Sequence, residues 1–216
     1  MLSKLLLIFN TVKHLKPRQL SGQVINRVRC RFEDPAKLLQ MDVPDFKGIV
    51  WSEKIEILPP GMQLNTAEGI CAGKMSFLND EQQMGRMPNW DSKELPKLWL
   101  YNLHYFEWLW ALDYKEAQAA ILDWIENHPP AKGQQGWEPY PISLRLMNLC
   151  GVFWGKFKKQ VEVEREFRGE LWKSIYRQAE WLSSHLETHI LGNHLFENGA
   201  ALAFVGSCFR GAAAER

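Results

Sequence analysis

At 216 residues with 46% apolar content, the chain can bury a substantial core as one domain. A net charge of +1 gives no global case for a nucleic-acid binder or for a protein with acidic partners. The four cysteines Cys30, Cys71, Cys150 and Cys208 form no CxxC pair, so neither a disulfide framework nor a metal cluster is implied.

Cys150 and Cys208 fall in apolar helical runs, where small buried thiols are common. Ten tryptophans are many for this length; a Trp-rich helical core and a sugar-stacking cleft explain them equally well. Leu2, Leu5, Leu6 and Phe9 recur at helical spacing, which predicts a short amphipathic helix. A secretory signal needs a longer apolar run and a small-residue cleavage site. Pro17 then suits the first turn of a second helix carrying Leu20, Val24, Ile25 and Val28 among arginines. Lys4, Lys13, Lys16, Arg18, Arg27, Arg29 and Arg31 all precede the first acid, Glu33. Such a basic amphipathic pair can lie on a membrane or face an anionic polymer, but an ordinary surface helix is the preferred reading. From Glu33 to Pro96, prolines and glycines punctuate short runs such as Gly48 to Trp51 and Ile55 to Leu58. A wrapped, irregular segment with short strands or extended arms and little helix is expected there.

Regular helix resumes near Leu98 with LWLYNLHYFEWLWALD. The next run, YKEAQAAILDWIENHPP, sets Ala117, Ile121 and Trp124 on one face and stops at Pro129-Pro130. In GWEPYPISLRLMNLCGVFW, Ile142, Leu146, Leu149 and Phe153 share a face, with Arg145 among apolar neighbours. A buried guanidinium is costly unless partnered. A pair with Glu138 is preferred over a clamp on an anionic substrate. A long helix over Glu164 to Leu186 follows, its stripe being Trp172, Ile175, Tyr176, Ala179, Leu182 and Leu186. Helix after helix joined by short loops predicts an all-α fold of antiparallel hairpins, either a bundle or an α/α toroid.

The stretch from His185 to Phe209 joins a polar knot (Gly192, Asn193, His194, Glu197, Asn198) to a run that is apolar nearly all round. Such a helix is normally an inner one, and this one is too short to span a bilayer. His194 and Glu197 stand three apart and share a face, while Asn193 is a candidate N-cap. His185 and His189 also share a helical spacing, but HExxH is absent and Gly192 separates the pairs, so no metal site is expected.

LWLYNLHYFEWL, GWEPYPISLRLMN and HILGNHLFENGAALAFVG, with TVKHLKPRQLSGQVINRVR before them, resemble the helical N-terminal domain of the heparinase II/III-like polysaccharide lyases. The resemblance is to the branch found beside bacterial surface-polysaccharide genes. It implies an incomplete α/α toroid: residues 1–97 as N-terminal helices and irregular arm, residues 98–216 as the first hairpins. Later hairpins and an antiparallel β-sandwich follow in the family. The activity implied is β-elimination on an anionic, uronic-acid-containing polysaccharide, heparin-, heparan- or alginate-like, with no cofactor and no nucleic acid. It gives Asn193 and His194 the task of neutralising the uronate carboxylate so that the enolate-like state can form. Glu197 would orient His194 or a sugar hydroxyl, and His104, Trp137, Glu138, Tyr140 and Arg145 would wall the cleft. The family's proton-carrying tyrosine lies well downstream of the GNH run. The expectation is therefore a truncated member, inactive alone or working with a separately encoded C-terminal half. Two alternatives stand beside it: a non-catalytic carbohydrate-binding scaffold, and a glycoside hydrolase using Glu138 and Glu197 as its carboxylate pair.

Overall fold

The computed structural model describes residues 15–44, 64–190 and 192–208, with residues 10 and 61 besides. The helix expected over Met1 to Phe9 and the runs at Gly48 to Trp51 and Ile55 to Leu58 lie outside the described residues. The first described helix, α1 (Pro17–Phe32), opens with proline at its first turn as expected. After a 3-10 turn (Pro35–Gln40), α2 (Ala67–Cys71) is capped by Thr66, whose hydroxyl accepts from the Gly69 N–H at 3.1 Å.

The segment expected to be irregular holds a hairpin that the sequence did not announce. β1 (Lys74–Phe77) pairs antiparallel with β2 (Asp80–Gln83). Leu78 and Asn79 turn the corner at φ 56° and 60°. That left-handed two-residue turn normally asks for Asn-Gly, and leucine hides it. Met75 and Phe77 enter the core, and the Phe77 ring meets Trp99 edge-on at 4.9 Å.

The run from Leu98 was expected to be one helix, but it breaks. α3 (Lys97–Tyr105) ends at Phe106, which adopts φ +62°, and a 3-10 turn (Glu107–Ala111) follows. Left-handed backbone is unfavourable for phenylalanine. Here it seats a fully buried ring edge-on against Trp90, Trp108 and Trp124, with centroids 5.8, 5.7 and 5.6 Å away.

α4 (Tyr114–Asn127) is capped by Asp113, whose carboxylate accepts from the Glu116 N–H at 2.9 Å. It buries Ala117, Ile121 and Trp124 as predicted. α5 (Pro139–Cys150) unwinds into a π turn (Gly151–Lys156), and α6 (Lys158–Val163), α7 (Arg165–Ser184) and α8 (Asn193–Cys208) complete the chain. α5 is the central element, packed against α3, α7 and α8. Of the described residues 67% are helical, and the fold is all-α.

The tryptophans settle in the interior. Seven of the ten, Trp90, Trp99, Trp108, Trp124, Trp137, Trp154 and Trp172, are buried, which accounts for most of them by the core. α8 departs from expectation in a different way. It buries only Asn198, Ala201, Val205 and Cys208, while Phe196 is 72% exposed. The described helices cover one side of it and leave the other open.

Arg145 is fully buried and has no carboxylate partner among the described residues. Its Nε donates to Gln178 Oε1 at 2.7 Å, Nη1 to the His104 carbonyl at 3.3 Å and Nη2 to the Gly136 carbonyl at 2.7 Å. The guanidinium also lies 4.3 Å over the Trp124 ring. The expected pair with Glu138 is absent because that acid is held by Lys97, at 2.7 Å. Burial pulls the Arg145 pKa down to about 9. Gly136 is pressed so tightly here that an added Cβ would lie 2.7 Å from His104 Cε1 and closer still to His128 Nε2.

His104 and His128 face each other with ring centroids 4.7 Å apart. His104 Nε2 donates to the Trp90 carbonyl at 3.0 Å, and its Nδ1 accepts from Trp124 Nε1 at 3.3 Å. His128 Nδ1 meets Asp91 Oδ2 at 3.0 Å. Burial holds His104 well below its usual pKa and takes His128 to about 3. In the unfolded chain both return to about 6.5, so that state takes up protons first on acidification. Their stabilising effect is complete above pH about 6.5 and is lost as pH falls towards 3. Urea midpoints measured between pH 7 and pH 4 are expected to fall steadily across this window.

Candidate functional site

Gly192, at φ +62°, reverses the chain, and its carbonyl accepts from the Phe196 N–H at 3.1 Å. Gly192 therefore caps α8, and Asn193 does not. The Asn193 side chain is exposed and makes no hydrogen bond to other described residues. His194 follows, its side chain 36% exposed. Its ring lies on that of Tyr140, at the start of α5, with centroids 4.2 Å apart and planes 31° from parallel.

His194 Nδ1 is 3.0 Å from Glu187 Oε1. An ionised carboxylate only accepts, so Nδ1 carries the hydrogen and Nε2 is the nitrogen left for other work. Glu187 is itself fixed from two sides by the buried Asn198. Its backbone N–H donates to Asn198 Oδ1 at 2.8 Å, and its Oε2 accepts from Asn198 Nδ2 at 3.2 Å. The same amide nitrogen reaches Ser143 Oγ at 3.0 Å, tying the network to α5. Glu187, then, and not Glu197, orients His194. Glu197 instead lends charge to Tyr140, whose pKa is raised first by burial and then by Glu197 and Glu187.

Tyrosines on α3 extend this face. The Tyr105 ring meets Tyr140 edge-on at 6.0 Å, and Tyr101 lies 6.4 Å from Tyr105. The Tyr101 hydroxyl donates to Glu138, which also pairs with Lys97. Burial pushes the phenols of Tyr101 and Tyr105 well above their usual range, so both stay protonated hydrogen donors.

Of the residues singled out from sequence, Asn193, His194, Glu197, Tyr140 and Glu138 reach this region at least partly exposed. His104, Trp137 and Arg145 are buried and do not reach it. Trp137 stacks on Trp124, and its Nε1 donates to the His128 carbonyl at 3.2 Å. Sequence reasoning missed Glu187, Tyr101 and Tyr105. Glu187 arrives on a non-helical turn, where Ile190 N–H donates to its carbonyl at 3.1 Å, so no periodic spacing pointed from it to His194. The tyrosines lay in view within YNLHY, four apart on one helix face.

Replacing Glu187 with glutamine is expected to unpin the His194 tautomer, because an amide can donate or accept at Nδ1. Nitrogen-15 shifts of the imidazole would then move from a single Nδ1–H form to a mixture. An unchanged tautomer in the variant would remove Glu187 from this role.

An exposed amide, an imidazole hydrogen-bonded to a carboxylate and a row of tyrosines give the all-α domain a polar, aromatic face. The chain belongs to the heparinase II/III N-terminal family, whose model matches residues 85–213, and is thus a helical domain of polysaccharide-lyase type. No curated protein and no solved structure matches it.

Proposed function

We propose that this face holds the uronate carboxylate during β-elimination on an acidic polysaccharide, on the first hairpins of an α/α toroid. The observation that carries the reading is the His194 ring, held by Glu187 and backed by Tyr140, beside the exposed amide of Asn193. Removing the C5 proton of a uronate builds a second negative charge next to the carboxylate. Donors aimed at that carboxylate lower the barrier more than they tighten ground-state binding. When protonated on both nitrogens, His194 offers Nε2–H to one carboxylate oxygen while Nδ1–H stays on Glu187, and the Asn193 amide N–H serves the other. The Tyr140 and Tyr105 hydroxyls supply further hydrogens to the sugar. The C5 proton and the leaving 4-oxygen need a base and an acid as well. The family resemblance gives that work to a tyrosine downstream of the GNH run, so holding the carboxylate is the step assigned to this chain.

A hydrolase reading gains nothing from the geometry, because Glu138 is engaged by Lys97 and Tyr101 and is no free acid or base. Calorimetry with a uronate oligosaccharide and its carboxyl-reduced counterpart tests the proposal. Binding is expected only where the carboxylate is present, and equal binding of the two would overturn it. Any turnover should give the ultraviolet-absorbing unsaturated uronate; new reducing ends without that absorbance would mean hydrolysis.

A further inference from the structure

Helix α1 is built inside out. Its small and polar side faces the body: Gly22 packs so closely on His189 that an added Cβ would lie 3.1 Å from it. On the same side Asn26 Nδ2 reaches His189 Nε2 and Gln19 Nε2 donates to the Ile190 carbonyl, both at 3.5 Å. Arg29 donates to the Ser184 carbonyl. The apolar stripe points the other way, with Val24 63%, Ile25 51%, Val28 52% and Phe32 74% exposed. At 100° per residue these four fall within about a third of the helix circumference. Arg27 and Arg31 are exposed along one edge of the stripe. Of the two acids that follow the helix, Glu33 is taken up by His185 at 2.8 Å and Arg29 at 3.9 Å, and Asp34 accepts from the Ala36 N–H at 3.0 Å.

We propose that this face of α1 lies flat on an anionic lipid surface. Single exposed apolar side chains are ordinary, but a continuous stripe edged by arginines is the pattern of a helix resting in a membrane interface. The arginines call for negative charge, and the valines, isoleucine and phenylalanine call for a partner with an apolar interior. An acidic polysaccharide answers the first demand and not the second. A second copy of the chain would bring arginine against arginine, which opposes pairing. Among the described residues no helix is long and apolar enough to cross a membrane. The α1 face lies on the far side of the 187–190 turn that holds His194, so docking would leave the polar face free to meet a polymer.

Co-sedimentation of the full chain with vesicles decides the matter. Binding is expected to vesicles containing phosphatidylglycerol and not to pure phosphatidylcholine, and it should weaken with salt. The triple variant Val24→Ser, Val28→Ser, Phe32→Ser should lose at least about tenfold in partitioning, and Arg27→Gln with Arg31→Gln should lose the lipid-charge preference. Because these side chains are exposed, circular dichroism should show the fold retained. Equal binding to both vesicle types, or no effect of the apolar variant, overturns the proposal. So does vesicle-free dimerisation abolished by the apolar variant, or binding to an acidic polysaccharide that depends on the arginines in place of lipid binding.

Discussion

Arg145→Ala is expected to remove about 3–5 kcal/mol of folding stability, a large share of the roughly 5–15 kcal/mol that a domain has. Two effects add. The Gln178, His104 and Gly136 oxygens lose their shared donor in a fully buried site, and a void opens against the Trp124 face. Lysine should rescue little, since one ammonium cannot fork to three acceptors on different elements. Methionine should recover part of the loss by filling volume without burying a charge. Chemical denaturation followed by tryptophan fluorescence measures all three variants. A loss under about 1 kcal/mol for alanine would show that the fork contributes no more than an average hydrogen bond.

His194→Ala and Asn193→Ala should each weaken binding of a uronate oligosaccharide about 10- to 150-fold, the equivalent of one charge-assisted hydrogen bond of about 1.5–3 kcal/mol. The carboxyl-reduced oligosaccharide should not distinguish wild type from variant. Thermal stability should be unchanged for Asn193→Ala, whose side chain is exposed and does not cap α8. Parallel loss of stability and affinity would mean that the polar knot is architectural and the proposed site lies elsewhere.

Much of the architecture could be read from periodicity. Pro17 marks the start of α1, and Ala117, Ile121 and Trp124 the buried face of α4. Features that long-range packing decides could not be read. Phe106 turns left-handed because three tryptophans distant in sequence or across a turn close around its ring. The 74–83 hairpin hides behind a Leu-Asn turn. The burial of Arg145 was legible, but its acceptors were not, since two are backbone carbonyls that any residue type supplies. The site shows the same division: Asn193 and His194 stand out as a motif, whereas Glu187 reaches His194 only through an irregular turn.

Gly136 has a bearing on what substitutions this interior can accept. Its carbonyl holds Arg145, while its bare α-carbon roofs two imidazoles with no room for even a methyl group. The position is sterically sealed: a larger residue could settle there only after one of the rings beneath had been whittled down, so the glycine and the histidine pair must change together or not at all.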